Sequence, residues 1–278
     1  MSRIEKAIEK ATRLRQGADS KSPSSAESPL PAAAFMNDRQ GRPSSVALQD
    51  VEPLQVNCPF LPMAQRNNDP VSEEYKKLRS LVRKLTKKGS FLNTLLITST
   101  VGSEGKSITT LNLALALAQE YDHTVLLVDA DLRRPSIHRY LGLQPEVGLV
   151  NCLQDGLPVE QALIKTGLGK LVVLPAGSPV ENHLELLSSE RMKNLIRELK
   201  SRYPERYVIF DTPPALPFAD AQILGSEIDG VIYVIREGFA KTEQIREAME
   251  SLKGSNLLGA VYNDSSIMPS SGRYSYYY

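Results

Sequence analysis

Nine consecutive residues carry the clearest chemistry in the chain: Ser99-Thr100-Val101-Gly102-Ser103-Glu104-Gly105-Lys106-Ser107. They follow an apolar run at 93–98 and precede Ile108-Thr109-Thr110-Leu111, which reads as the first turn of a helix over 106–120. A strand, a tight loop and a helix N-terminus bring successive backbone N–H groups and the helix dipole to one point, where phosphate is favoured. In this pattern Gly105 permits the close turn, Lys106 reaches the β- and γ-phosphates, and Ser107 supplies a hydroxyl for Mg²⁺. The strict form of the loop has glycine at position 100, where this chain has Thr100. The Gly-Lys-Ser sequence excludes the Gly-x-Gly-x-x-Gly turn of dinucleotide folds.

Two further carboxylate sites strengthen this reading. Leu126-Leu127-Val128-Asp129-Ala130-Asp131 ends one apolar run on paired acids, and Tyr207-Val208-Ile209-Phe210-Asp211-Thr212-Pro213-Pro214 ends another. Ligands of open parallel sheets bind beyond the carboxyl ends of the strands, so the three segments should converge on one crevice. Mg²⁺ takes oxygen ligands and bridges to nucleotide phosphates, which makes Ser107, Asp129 and Asp211 the candidate metal oxygens.

The elements needed to position these groups are legible. Strand-like runs at 93–98, 124–129, 171–174, 207–211, 230–235 and 256–262 alternate with helical patterns at 106–120, 184–202 and 241–253. Near-continuous apolar strands alternating with helices predict an α/β fold: a P-loop NTPase-like, mostly parallel sheet with helices on both faces. Ahead of it, Ser72 is the expected cap of a helix to about Lys87, with Tyr75, Leu78, Leu81, Val82 and Leu85 on one face.

The expected organisation has four parts. Residues 1–16 form a short amphipathic helix, with Ser2 and Glu5 as a capping box and Ile4, Ile8, Ala11 and Leu14 along one side, suited to docking on a partner. Residues 17–70, rich in Pro, Ser and Ala, form a flexible tether in which 58–63 is a candidate local docking spot. The nucleotide-binding domain spans 71–264. The tail, 265–278, ends in SSGRYSYYY, with Tyr274, Tyr276, Tyr277 and Tyr278 crowded at the end. A buried tyrosine is held by its large apolar area, so this density at a free end calls for another use.

Composition narrows the classes further. The 278 residues include 33 Lys+Arg and 32 Asp+Glu, a net charge of +1 that offers no bulk attraction to nucleic acid. Cys58 and Cys152 are scattered, as in a reducing cytosol, and His123, His138 and His183 form no zinc pattern. No run approaches the ~20 apolar residues of a membrane-spanning helix. The N-terminus has no apolar signal region. A cytoplasmic chain is expected, recruited to the inner face of the plasma membrane by a partner.

Over about residues 71–278 the chain resembles the bacterial tyrosine kinases of capsule and exopolysaccharide systems. The resemblance rests on the loop at 99–107, on Asp129-Ala130-Asp131-Leu132-Arg133-Arg134-Pro135, and on Asp211-Thr212-Pro213-Pro214. It extends to Glu185-Leu186-Leu187-Ser188-Ser189-Glu190-Arg191-Met192 and to the terminal tyrosines. The opening MSRIEKAIEKA is similar to the stand-alone kinases of exosortase (PEP-CTERM)-associated loci.

The resemblance implies a protein-tyrosine autokinase that uses ATP and Mg²⁺. Its nucleotide contacts would be Val101, Gly102, Ser103, Glu104, Gly105, Lys106, Ser107 and Ile108, with Asn263 near adenine. Lys106, Asp129, Asp131, Arg133 and Asp211 would serve catalysis: Lys106 neutralises the transferring phosphoryl, Asp129 or Asp131 takes or orients the tyrosine proton, and Arg133 adds charge stabilisation. Tyr274, Tyr276, Tyr277 and Tyr278 would be the substrates, presented by a neighbouring subunit of a homo-oligomeric ring. Glu73, Lys76 and Arg79 match the family's Glu-x-x-Arg-x-x-Arg association motif, with Lys for the first Arg. A second departure is Gly102-Ser103, where the family has Pro-Gly. The implied partners are a transmembrane polysaccharide co-polymerase or chain-length protein and a cognate tyrosine phosphatase.

Two other readings share the loop. A Min/Par-type partitioning ATPase would carry its signature lysine at position 101, where Val101 stands. A nucleotide-binding, non-catalytic regulator of polysaccharide export is the other, motivated by Ser103.

Overall fold

A computed structural model describes residues 51–266 apart from 66–68, 88, 121–122 and 203–204. The expected helix at 1–16, most of the tether and the tyrosines of 274–278 lie outside the described residues.

In order, the elements are α1 (Pro62–Gln65), α2 (Pro70–Thr86), β1 (Thr94–Ser99), α3 (Lys106–Ala118), β2 (Thr124–Asp129), α4 (Ile137–Leu141), α5 (Leu149–Gln154) and α6 (Val159–Ala162). Then follow β3 (Ile164–Lys165), β4 (Leu171–Leu174), α7 (His183–Ser188), α8 (Glu190–Arg202), β5 (Arg206–Asp211), α9 (Asp220–Gly225), β6 (Gly230–Arg236), α10 (Thr242–Ser251) and β7 (Leu257–Asn263).

The sheet runs β3-β4-β2-β5-β1-β6-β7. Every pairing is parallel except the short β3 against β4. Successive side chains of a strand point to opposite faces, and here both faces are covered. In β1, Leu95 and Ile97 join α3 in one core, while Leu96 joins the core under α5, α7 and α8. This is why the inner strands are apolar throughout rather than alternating, whereas β7, at the edge of the sheet, is largely exposed. β5 lies between β1 and β2 in register, with Ile97 opposite Asp211 and Asp129 opposite Asp211. The carboxyl ends of all three strands therefore open on one crevice.

Three expectations are corrected. Asp69, not Ser72, caps α2: its carboxylate accepts from the Ser72 N–H at 2.7 Å, and Pro70 takes the first helical position, where a missing N–H costs nothing. Leu81 faces outward, whereas Val82 and Thr86 are buried. The helical pattern over 184–202 is two helices, because Ser189 turns to an extended backbone between them (ψ 153°).

The tether also ends earlier than expected. Leu54 N–H donates to the Thr166 carbonyl at 2.9 Å, and Leu61 and Met63 are buried beside α3. The side chains of Asn112 and Gln119 satisfy this strap's backbone, Asn112 donating to the Phe60 carbonyl at 2.9 Å and Gln119 to the Met63 carbonyl at 2.8 Å. Residues 51–65 thus belong to the folded domain, since two buried apolar side chains offset the entropy of ordering them. Leu61→Ala should destabilise the domain by about 2–5 kcal/mol, read as a lowered urea midpoint at unchanged slope.

Candidate active site

The phosphate loop is tied on all sides. Thr212 N–H donates to Ile97 O at 3.2 Å, Ala215 N–H to Ser99 O at 2.8 Å, and Leu216 N–H to Thr100 O at 3.1 Å, so the Pro213-Pro214 segment is laced along the loop's first limb. Tyr233, whose hydroxyl burial pushes up to about 12, donates to Thr100 Oγ1 at 3.0 Å. Thr100 is fully buried with its hydroxyl engaged, and its backbone is outside the left-handed region, so the position does not require glycine. The buried Glu104 carboxylate accepts from Val101 N–H at 2.7 Å and closes the loop on itself.

Two residues of the loop take left-handed backbone. Gly105 sits at φ 87°, where a side chain is strained, and a Cβ there would lie 2.2 Å from Asn263 Nδ2, so any other residue would have to displace the Asn263 amide. Ser103 sits at φ 67°. The glycine expected from the resemblance at this position has its physical reason here, because a side chain in the left-handed region costs roughly 1–2 kcal/mol.

At the start of α3 the charged groups meet. Lys106 Nζ donates to Asp131 Oδ2 at 2.7 Å and to Ser107 Oγ at 3.1 Å, and lies 3.8 Å from Asp211. Ser107 Oγ donates to Asp211 Oδ2 at 2.6 Å. The Thr110 hydroxyl stands 3.1 Å from Asp211 Oδ1 and 2.8 Å from the Lys106 carbonyl, and donates to one at a time. Asp129 Oδ2 accepts from Ser136 and Ile137 N–H groups at 3.1 Å each, while its Oδ1 is buried without a partner.

The electrostatics follow from three carboxylates sharing one ammonium. Burial works against the Lys106 charge, but Asp211 and Asp131 outweigh it and hold the ammonium above the usual lysine range. Burial raises the Asp211 carboxyl, with Lys106 and the Ser107 hydrogen bond opposing. Burial and the neighbouring Asp211 push Asp129 up to about 8. The folded Asp129 therefore keeps its proton at pH values where the unfolded chain has lost it, so the native state binds more protons. The metal-free chain should therefore lose stability as pH rises from about 4 towards about 8. Thermal melts in chelator across that range test this, and Asp129→Asn should flatten the slope.

These donors fit a hard cation. The unpartnered Asp129 Oδ1, the Asp211 carboxyl group and Ser107 Oγ are all oxygens, and a cation here would take the place of the proton that Asp129 otherwise keeps. Among the described residues no three His, Cys, Asp or Glu side chains form a ready cage. That suits Mg²⁺, which keeps water and takes substrate phosphates beside one or two protein ligands.

The other expected residues lie as follows. Asp131 Oδ1 accepts from Arg134 N–H at 3.0 Å, which fixes its turn. Arg133 is engaged by the fully buried Asp220 at 3.2 Å and stacks 4.3 Å over Phe218. Asn263 donates to the Glu104 carbonyl at 2.9 Å, so its amide serves the loop's backbone. Glu73 pairs with Lys76 at 2.6 Å on the outside of α2. Arg79 turns inward, donating to the Ala116 carbonyl at 3.2 Å and lying 3.2 Å from Glu120, which Arg83 also holds at 2.9 Å. Arg79 thus serves the end of α3 within its own chain.

Sequence reasoning passed over Thr110, Asp220 and Tyr233. The Thr109-Thr110 pair one turn into α3 was a usable signal for the first. Nothing local marks Asp220, which meets Arg133 from 87 residues away.

The family model CbiA, described as the CobQ/CobB/MinD/ParA nucleotide binding domain, matches residues 95–275. The tyrosine-protein kinase YwqD of Bacillus subtilis (strain 168) is 41% identical over 208 residues, 74% of this chain and 86% of its own. The putative tyrosine-protein kinase CapB of Staphylococcus aureus is 30% identical over 209 residues, 74% of this chain and 90% of its own. The solved kinase domain of Escherichia coli tyrosine kinase ETK matches at 30% identity with a TM-score of 0.70, covering 80% of this chain and 86% of that one.

Proposed function

Because the chain belongs to the bacterial tyrosine-protein kinases, built on the CobQ/CobB/MinD/ParA nucleotide binding domain, we propose that it transfers the γ-phosphoryl of ATP to its own C-terminal tyrosines and thereby regulates exopolysaccharide or capsule synthesis. The observation that carries this reading is the convergence of Lys106, Ser107, Asp129, Asp131 and Asp211 beside the phosphate loop. Phosphoryl transfer asks a protein mainly for in-line positioning and charge stabilisation, and this cluster is suited to both.

Lys106, held at the mouth of the loop, neutralises charge on the transferring phosphoryl. Bound Mg²⁺, held by Ser107, Asp129 and Asp211, would supply further charge neutralisation and orient the nucleotide phosphates. Asp129 is locked by two backbone N–H groups, whereas Asp131 is held by the Lys106 ammonium and one N–H. When Lys106 turns to a phosphate, Asp131 is released to accept the tyrosine hydroxyl's proton. In this reading Arg133 acts through Asp220, keeping the turn after β2 in place.

The acceptors are Tyr274, Tyr276, Tyr277 and Tyr278 of a neighbouring copy in a homo-oligomeric ring, with Glu73 and Lys76 on the contacting helix. Each phosphate adds about −1.5 to −2 charge, so a modified tail repels itself and loosens the assembly. Among the described residues no helix is long and apolar enough to cross a membrane. A transmembrane co-polymerase would recruit the chain to the inner face of the membrane, with residues 1–16 as the contact, and a tyrosine phosphatase would reset it.

Mixing two variants tests the transfer between copies. Lys106→Ala with an intact tail is combined with a chain whose four terminal tyrosines are phenylalanine. Label on the Lys106→Ala chain is the expected result. Label on neither, with the unaltered protein active alone, would contradict transfer between copies.

A further inference from the structure

Arg236 and Asn263 face each other across the last rung of the β6–β7 ladder, at the carboxyl ends of both strands. Both reach the phosphate loop, and both reach carbonyl groups. Arg236 Nη1 donates to Ser103 O at 3.4 Å, and Asn263 Nδ2 donates to Glu104 O at 2.9 Å. The Arg236 N–H also approaches Glu104 Oε1 at 3.4 Å. Asp264 anchors the guanidinium, with Oδ2 2.9 Å from Nε and 2.7 Å from Nη2. Among the described residues the only non-glycine positions with positive φ are Ser103 (67°) and Asp264 (53°), and Arg236 touches both.

The chemistry lies in the peptide planes. A trans peptide is planar, and its C=O and N–H point in opposite directions. A donor that fixes the Ser103 carbonyl therefore also fixes the Glu104 N–H, and a donor on the Glu104 carbonyl fixes the Gly105 N–H. We infer that Arg236 and Asn263 are positioning residues which hold two loop carbonyls away from the nucleotide, so that the Glu104 and Gly105 N–H groups face its phosphates. Asn263 is thereby moved from an adenine contact to a backbone clamp. The clamp also accounts for Ser103: a left-handed serine persists only where its surroundings over-determine it, and the Arg236 contact supplies that constraint.

This inference rests on the nucleotide reading of the loop, and the test separates the two. Binding of Mg²⁺-ATP and of Mg²⁺-tripolyphosphate, which has phosphates and no base, is measured for the intact chain and its variants. Arg236→Ala should weaken both ligands by the same factor, on the order of tenfold, because a charge-assisted hydrogen bond is lost. Asn263→Ala should weaken both alike as well. Arg236→Lys, which keeps a donor but loses the fork on Asp264, should fall between Arg236→Ala and the unaltered chain. Asp264→Asn, which leaves Arg236 in place but unanchored, should give a smaller loss in the same direction. A variant that weakens ATP and spares tripolyphosphate would overturn the proposal in favour of a base contact. Unchanged affinities, or a fall in melting temperature with both affinities intact, would also overturn it. An unaltered chain that bound neither ligand would contradict the nucleotide site itself.

Discussion

Lys106→Ala should lower tyrosine phosphorylation by on the order of 10³-fold, because a pre-positioned charge in a water-poor site is among the largest single contributions to such catalysis. The same substitution has a structural consequence that distinguishes it from simple loss of a ligand contact. Lys106 sits 2.7 Å from Asp131 and 3.8 Å from Asp211, and its ammonium opposes burial at both Asp211 and Asp129. Removing one partner of a buried ion pair leaves uncompensated charge and costs about 3 kcal/mol. The metal-free variant should therefore melt well below the unaltered chain. Millimolar Mg²⁺ should restore much of that difference, because a cation returns to the carboxylates. Activity should not return with it. Melting curves with chelator and with Mg²⁺, beside a kinase assay, check both halves.

Asp211→Asn should separate stability from function in the opposite direction. The side chain is fully buried, receives the Ser107 hydroxyl at 2.6 Å, and carries a carboxyl that burial raises. An amide keeps the shape and can keep the hydrogen bond without a buried charge. Lys106 keeps Asp131 at 2.7 Å as its counter-charge, so the metal-free variant should gain about 1 kcal/mol, the usual direction when a functional strain is removed. It should lose about 10²-fold or more in phosphotransfer, since the formal charge proposed to hold Mg²⁺ is gone. A variant that kept full activity would remove Asp211 from the site, and a variant that lost stability would show that the neutral amide cannot replace the Ser107 contact.

The parts of this molecule legible beforehand were those encoded locally. A parallel strand buried on both faces must be apolar throughout, so β1, β2, β4, β5 and β6 were readable as runs; β7, an edge strand and largely exposed, was readable from its own apolar composition. The loop at 99–107, Asp129, Asp131 and Asp211 were readable because each follows such a run, and a charge at a strand's end needs a reason. What was not legible depends on contacts distant in sequence. The strap over 51–65 has tether-like composition, and its place on the domain is set by distant partners: Thr166, the core around Leu61 and Met63, and Asn112 and Gln119 of α3. Arg79 fitted an association motif by spacing, yet it faces Glu120 and the end of α3. Arg133 fitted a catalytic motif, yet its partner is Asp220. Asn263 was found at the correct end of the correct strand. Its role changed because Gly105 leaves room for the amide to approach the loop. The two-residue β3 has too few positions for any periodicity, and the break at Ser189 is one backbone dihedral inside a helical pattern.

The most direct test incubates the intact chain with Mg²⁺ and γ-labelled ATP and maps the label by residue. Phosphotyrosine confined to Tyr274, Tyr276, Tyr277 and Tyr278, and absent from the Lys106→Ala chain, is the result this account requires. Release of inorganic phosphate from ATP with no phosphotyrosine on any copy, tail intact and the recruiting membrane segment supplied, would contradict it.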